Sequence, residues 1–504
     1  MRFPRSCGTL VHPTSFPGKY GIGDFGDEAR VFIDFLERTS QTIWQVLPLT
    51  PTGYGNSPYA SYSAFAGNVY LISPDILISK GLLTSKEAAK AELPSGVEVQ
   101  YDAAFANKDT LFMLACERFY KTLTEEEEKK FKSFKKANKH WLDDYVLFMA
   151  CALHYDKRPW NTWDKDIAQR KPEALKAHKK KFKKEIELQY WMQYEFENQW
   201  MSLKEYANSK SIRVVGDIPI FVDHNSSDVW ANPEYFEVDE EGNRVLVAGV
   251  PPDYFSETGQ LWGNPQYNWA ALEKDGFSWW VDRFKHMFKI CDAIRVDHFR
   301  GFDAYWEVKA TEETAINGRW VDGPGEKLFD TILEECGELP IIAEDLGFVT
   351  EGVEKLRDKY AFPGMKIIQF AFDSDATNAF LPHNYPQNSV AYTGTHDNDT
   401  SIGWYNSAPE VEQHRVRVYT RSDGSSISWE LIRLGMLSAS DQAIFPMQDF
   451  MNLDGAHRMN FPGTSSGNWL WRYTQAMFEE LNEDQLSFLV ELGNRNSNSE
   501  KAGI

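Results

Sequence analysis

Four short segments of the chain place a carboxylate directly after an apolar run. They are residues 216–222 with Asp217, 294–301 with Asp297, 341–347 with Glu344 and 392–400 with Asp397. A single acid in such a position is usually a helix cap or a loop acid. Four acids on successive predicted strands instead indicate one site, because the carboxyl ends of parallel strands meet at the same edge of a sheet.

The spacing around two of these acids predicts opposite pKa shifts. Residues i and i+2 of a strand point the same way, so Arg295 would lie beside Asp297, lower its pKa and keep it ionised as a nucleophile requires. Glu344 closes an apolar run, where partial burial would raise its pKa and keep it protonated as a general acid requires. Such a pair suits retaining glycoside chemistry. Asp397, next to His396, could hold sugar hydroxyls and favour an oxocarbenium-like transition state.

Alternating strands and helices must position these acids. Apolar runs predict strands at 42–47, 212–221, 292–297, 340–344, 365–370, 390–395 and 443–447. Helical patterns lie near 327–336, 351–360, 428–438 and 468–480. This alternation predicts a parallel sheet, and acids at the carboxyl ends of its strands are typical of a (β/α)8 barrel. We therefore predict the α/β class, as a (β/α)8 TIM barrel with large helical and loop insertions.

The chain is longer than a barrel needs. A TIM barrel takes about 250 residues, so roughly half of the 504 residues must be insertion. We predict the barrel in residues 1–74 and 206–490, and a mostly helical insertion in 75–205. Residues 223–276 are rich in proline, glycine and aromatic residues, which indicates a long functional loop that carries an active-site lid. Residues 491–504 are predicted to be a frayed tail.

Composition excludes several classes of partner. The formal net charge of −21 repels nucleic acid and anionic membranes. Five cysteines without a regular spacing predict reduced thiols and neither disulfides nor a zinc site. The chain shows no signal peptide and no apolar run of about 18 residues, so we expect a cytoplasmic protein, or one of the plastid stroma if a transit peptide was removed. An aromatic content of 14% suits a core, but also a sugar site, since flat pyranose faces stack on flat rings.

Two familiar motifs are present by chance. The GxGxxG of residues 21–26 follows a proline-rich stretch instead of a strand, and no acid lies about 20 positions further on. The GxSxG of residues 463–467 lies after His457, the last histidine, whereas a serine hydrolase of that type places its histidine later in the chain. Neither a nucleotide-binding protein nor a serine hydrolase is indicated.

The four acidic segments resemble the conserved regions of the α-amylase clan, and in detail those of the amylomaltases or disproportionating enzymes, the 4-alpha-glucanotransferases. The resemblance covers about residues 6–475 and includes the stretches 12–15, 53–59, 247–267, 298–306 and 460–469. It implies that Asp297 is the nucleophile, Glu344 the acid/base and Asp397 the transition-state stabiliser. It implies no metal and no cofactor.

The resemblance also implies a set of residues that bind the sugar chain. These are Ser57, Tyr59, Asp217, Asp253, Tyr254, Trp262, Arg295, His298, Asp373, His396 and Asn468. Tyr54 and Tyr101 correspond to a secondary glucan site of some relatives, and residues 247–267 to a lid over the acceptor side.

The function expected from the resemblance is disproportionation of α-1,4-glucans. Maltooligosaccharides, amylose and starch- or glycogen-derived glucans are the expected partners. An α-amylase-like hydrolase is an alternative, because the same carboxylates would serve both reactions. A glucan-binding protein without activity is a second alternative, which three intact acids argue against. The sequence leaves the oligomeric state and the preferred glucan length open.

Overall fold

The computed structural model describes residues 3–252, 256–464 and 466–496. Within them, eight parallel strands close into a barrel: β1 (Ser6–Leu10), β2 (Ile43–Gln45), β3 (Arg213–Ile218), β4 (Ala293–Val296), β5 (Ile341–Ala343), β6 (Gly364–Ile367), β7 (Ser389–Tyr392) and β8 (Gln442–Pro446). Their order follows the chain, and β8 pairs with β1 to complete the ring. The predicted TIM barrel is confirmed.

Helices surround the barrel and fill its largest insertion. A single helix, α1 (Asp27–Arg38), joins β1 to β2. Between β2 and β3 lie α2 (Pro74–Ser79), α3 (Ser85–Ala88), α4 (Tyr101–Thr122), α5 (Glu125–Ala137), α6 (Lys139–His154), α7 (Lys165–Ala168), α8 (Pro172–Lys181) and α9 (Lys183–Ser209). Later helices are α10 (Ser227–Ala231), α11 (Trp269–Lys274), α12 (Ser278–Ile290), α13 (Gly325–Cys336), α14 (Glu351–Lys359), α15 (Ser401–Ser407), α16 (Glu410–Thr420), α17 (Ile427–Leu437), α18 (Met447–Phe450), α19 (Gln475–Glu479) and α20 (Glu483–Leu492). Among the described residues, none of these helices has both the length and the apolar character to cross a membrane.

The helix α1 shows how the sequence specifies the outer layer. Its buried residues Ala29, Phe32, Ile33 and Leu36 recur at helical spacing and form one apolar face. Phe32 packs edge-on against Trp44 of β2, with ring centroids 5.5 Å apart. The helix is therefore held on the barrel by its apolar face, with an aromatic contact to β2.

A second sheet lies beside the barrel, where the sequence predicted a long loop. Strands Leu246–Val250 and Gln260–Pro265 pair antiparallel, and the sheet continues through Ala304–Lys309 to Gly318–Asp322. A register shift between Val247 and Gly249 interrupts the alternation by which strands are recognised. The helix predicted near 468–480 is also shorter, because it begins only at Gln475, after a Thr474 cap.

The C-terminal segment closes the bottom of the barrel. Its helix α20 continues to Leu492, and Arg495 is fully buried. The Arg495 guanidinium donates to the carbonyls of Met436, Ser6 and Asp441 at 2.7, 2.9 and 3.2 Å. Residues 491–496 are thus not a frayed tail, because these bonds join the starts of β1 and β8. Residues 497–504 lie outside the described residues.

We expect Arg495→Met to destabilise the fold. The change leaves several buried carbonyls without their donor, and each buried acceptor left unsatisfied typically costs about 1 to 3 kcal/mol. Urea unfolding would measure the loss as a lower transition midpoint. Lys355→Met, at an exposed position of α14, is the matched control. Equal midpoints for the two variants would contradict the role given to Arg495.

Candidate active site

A buried guanidinium joins the ends of β3 and β4. Asp217 of β3 and Arg295 of β4 are paired in register. Arg295 Nη1 donates to both carboxylate oxygens of Asp217 at 2.9 and 2.7 Å, and Nη2 donates to Asp297 Oδ1 at 2.9 Å. The side chains of Asp217 and Arg295 are 0% and 3% exposed, whereas that of Asp297 is 26% exposed. Asp297 therefore faces the cleft, with Asp217 beneath it as the second partner of Arg295.

An aromatic wall stands beside this charge cluster. The Tyr59 hydroxyl donates to Asp217 Oδ2 at 2.7 Å. The Tyr59 ring stacks on His396 with centroids 5.1 Å apart and planes 14° apart. Trp469 lies 5.8 Å from each of these two rings. The structure thus brings together two predicted residues, Tyr59 and His396, and adds Trp469, whose type alone did not distinguish it from the many core tryptophans.

The carboxylate of Glu344 is fixed by two backbone amides. The His298 N–H donates to Oε2 at 2.7 Å, and the Leu346 N–H donates to Oε1 at 3.0 Å. His298 has φ 48° and ψ 47°, a left-handed conformation that is uncommon outside glycine and is found at functional sites. Its ring packs edge-on against Trp262, with centroids 4.8 Å apart. Since His298 directly follows Asp297, one peptide group connects the two carboxylates.

Asp397 is held by its neighbour His396 and by two residues that follow β8. Asn460 Nδ2 donates to Asp397 Oδ1 at 2.6 Å, and His396 Nε2 lies 3.4 Å from Oδ2. The Arg458 guanidinium donates to the backbone carbonyl of Asp397. Neither Asn460 nor Arg458 was predicted to be a site residue, because both are distant in sequence from the strand end that they brace.

We expect Asn460→Ala to lower kcat about ten-fold, since a hydrogen bond to a charged group is worth about 1.5 to 3 kcal/mol and this one orients Asp397. Initial rates at saturating substrate would measure the loss. Asn388→Ala, which removes an amide donor just before β7, is the control. A variant with the wild-type kcat would show that Asn460 does not position Asp397.

Burial raises the pKa of both cleft carboxyls. Desolvation raises the pKa of Asp297 to about 8, opposed by Arg295 and reinforced by Asp217, Glu344 and Asp397. Desolvation also raises the pKa of Glu344, opposed by Arg295 and the two amide bonds. The predicted direction is confirmed at Glu344 and is wrong at Asp297, because Arg295 is shared with Asp217 and cannot offset burial among so many acids. The two carboxyls titrate as a pair.

The two histidines of the cleft are neutral. Desolvation lowers the pKa of His298 to about 3, with Arg300 adding to the effect. Desolvation lowers the pKa of His396 as well, although Asp397 opposes it. Neutral imidazoles suit hydrogen bonding to uncharged hydroxyl groups.

The other predicted sugar contacts that the structure describes make local hydrogen bonds. Ser57 Oγ accepts a hydrogen bond from the Tyr59 N–H at 3.2 Å. Asp373 is exposed and accepts from Asn378 at 2.9 Å. The Asn468 amide braces its own loop, accepting from the Phe461 N–H at 2.8 Å. The predicted residues Asp253 and Tyr254 lie outside the described residues.

The two tyrosines predicted for a secondary glucan site differ in exposure. Tyr54 is 78% exposed, whereas Tyr101 is 6% exposed. The Tyr101 hydroxyl donates to the Trp469 carbonyl at 2.8 Å, and its ring packs with Ile22 and Val99. Tyr101 has no open ring face for a glucan and instead supports the aromatic wall, which corrects that part of the prediction.

Comparison with known proteins identifies the family to which this chain belongs. A sequence profile of the family described as 4-alpha-glucanotransferase matches residues 11–477. The chain belongs to this family. It is 48% identical to a 4-alpha-glucanotransferase of Synechocystis, over 97% of this chain and 98% of that protein. It is also 47% identical to a 4-alpha-glucanotransferase of Thermus thermophilus, over 94% of this chain and 95% of that protein.

A solved structure supports the same assignment. The amylomaltase from Streptococcus agalactiae, determined in complex with acarbose, has a TM-score of 0.95 and 39% identity, covering 98% of this chain and all of that one. The match to the 4-alpha-glucanotransferase family includes every segment that contributes a side chain to the cleft described above.

Proposed function

We propose that this chain transfers segments of α-1,4-glucan to the 4-hydroxyl of glucose or of another glucan. The observation that carries the proposal is the pairing of Asp297 with Glu344. Asp297 accepts a hydrogen bond from the buried Arg295 guanidinium, and Glu344 accepts one from the backbone amide of His298, the residue after Asp297. Family membership supports the substrate class. Maltooligosaccharides, amylose and related storage glucans are the proposed partners.

In the proposed reaction, Asp297 attacks the anomeric carbon while Glu344 protonates the departing glycosidic oxygen. A covalent β-glycosyl enzyme results, and Glu344, now ionised, takes the proton from the acceptor 4-hydroxyl as it attacks. The anomeric configuration is retained. The first step needs one proton on the pair, and Arg295 at 2.9 Å favours leaving the charge on Asp297.

Other residues of the cleft would act on the sugar. Asp397, oriented by Asn460, is proposed to hold hydroxyl groups and stabilise the oxocarbenium-like transition state. Tyr59, which is half-buried, is proposed to contact the donor sugar, and the buried rings of His396 and Trp469 support it. Ser57, Trp262, His298, Asp373 and Asn468, with Asp253 and Tyr254, are the further proposed contacts, and Tyr54 a contact outside the cleft.

Transfer competes with hydrolysis, which uses the same carboxylates. Incubation with maltotriose distinguishes the two reactions. Transfer yields glucose together with oligomers longer than maltotriose, whereas an α-amylase-like hydrolase yields only shorter products. Binding of amylose without any turnover would favour a silent glucan-binding protein and overturn the proposal.

We expect a bell-shaped dependence of kcat/KM on pH. Activity requires one protonated and one ionised carboxyl, so it falls at low pH when both are protonated and at high pH when both are ionised. Because burial raises the pKa of the pair, with Asp297 at about 8, the alkaline fall should be centred near that value. Initial rates across pH 5 to about 10 test this. An alkaline limb below pH 6 would contradict it.

The compartment is also a proposal. All five cysteines are free, and all but Cys336 are buried. We propose a reducing compartment, either the cytoplasm or the plastid stroma. A 44% identical 4-alpha-glucanotransferase of Solanum tuberosum is a chloroplastic/amyloplastic protein.

A further inference from the structure

Two exposed aromatic rings flank one arginine next to the cleft. Arg300 lies in the turn Phe299–Phe302, shortly after Asp297. The Arg300 side chain is almost fully buried. Its guanidinium carbon is 3.9 Å from the ring centroid of Trp320 and 5.9 Å from that of Phe348. Its Nη1 donates to the Phe348 carbonyl at 2.8 Å. One side chain therefore stacks on the Trp320 ring and holds the backbone of Phe348.

The two rings are unusually open to solvent. Trp320, on the edge strand of the second sheet, is 40% exposed, and Phe348 is 73% exposed. Exposed apolar rings gathered in one place mark a binding surface more often than scattered ones. Within the described residues, Arg300 forms no ion pair, so its charge is used for stacking and for a carbonyl.

The position of the rings indicates which ligand they meet. Phe348 lies four residues after Glu344, and Arg300 three residues after Asp297, so both cleft carboxylates lie on the loops that form this surface. The acids of the cleft disfavour an anion, and the stacked guanidinium disfavours a cation. A neutral ligand with flat apolar faces satisfies both conditions, and sugar rings have such faces.

We propose that Phe348 and Trp320 form a platform that binds the acceptor glucan beyond the reacting sugar. The inference rests on the proposed function. Glu344 handles the departing and the incoming sugar, and Phe348 continues the loop of Glu344, which puts the platform on the acceptor side. A long acceptor reaches it, whereas free glucose is too short.

The test uses α-maltotriosyl fluoride as the donor, with glucose or maltopentaose as the acceptor. For Phe348→Ala we expect the KM for maltopentaose to rise roughly five-fold, as for loss of one aromatic contact, with kcat and the KM for glucose unchanged. Phe348→Tyr should restore the KM for maltopentaose. Phe488→Ala, an exposed ring on α20, is the matched control.

Trp320→Ala should act in the same direction, with melting temperatures checked because Trp320 also packs against Trp306. An unchanged KM for maltopentaose in Phe348→Ala, or an equal rise for glucose, would overturn the platform. Failure of the wild-type protein to transfer to either acceptor would instead overturn the proposed function.

Discussion

Asp297→Asn should lower the rate of maltotriose disproportionation by about 10⁴-fold, because an amide cannot attack the anomeric carbon and the covalent route is lost. The substitution keeps the shape of the side chain and one acceptor for Arg295 Nη2. Chromatography of products over long incubations measures the residual rate. Asp358→Asn, an exposed acid of α14, should keep full activity.

The same variant should be no less stable than the wild type. Burial raises the pKa values of the coupled Asp297–Glu344 pair, so the native state binds the protons of the pair more tightly than the unfolded chain, and the stability that this provides is lost as pH rises towards about 8. Asparagine removes this cost, and the melting temperature of the variant relative to the wild type should increase from about pH 4 to about pH 8.

Residual activity of Asp297→Asn above about a hundredth of the wild-type rate would contradict the role of Asp297 as nucleophile, because losses of catalytic groups usually run from 10² to 10⁴.

Glu344→Gln is expected to give the second largest loss, about 10³-fold on maltotriose, because the leaving sugar then departs without a proton. Fluoride needs no protonation to leave. With α-maltotriosyl fluoride the variant should therefore form the glycosyl enzyme at a nearly normal rate and stall afterwards, since no base activates the acceptor.

A burst of fluoride release followed by a slow phase is the signature to seek. Glu351→Gln, an exposed acid of α14, is the control and should behave as wild type. Equal losses with both donors would remove Glu344 from the role of general acid. Intact activity with maltotriose would remove it from the reaction altogether.

The sequence predicted the barrel well where strands are simple apolar runs. Strands β2 to β8 fall at the predicted runs, whereas β1, with the sequence Ser-Cys-Gly-Thr-Leu, has neither an apolar run nor a clear alternation. The second sheet was missed because glycine, proline and a register shift hide its period of two. The sequence indicated the presence of the helices clearly, but the start of α19 is set by the Thr474 cap.

The candidate site was predictable in its acids and less so in their surroundings. Strand periodicity placed Arg295 beside Asp297, but the second bond of Arg295 to Asp217 arises from neighbouring strands that are 78 residues apart in sequence. Burial raises the pKa of Asp297, and a guanidinium that is shared with Asp217 does not offset that rise. Asn460 and Trp469 reach the cleft from after β8, and Tyr101 proved to be buried, since a residue type does not reveal its exposure.

The left-handed turn at His298 has an evolutionary consequence. The Glu344 carboxylate is held next to Asp297 by a main-chain amide, which every residue except proline would supply at that position. Side chains around the cleft can therefore be exchanged over generations, altering which glucans are preferred, while the chemistry is inherited unchanged.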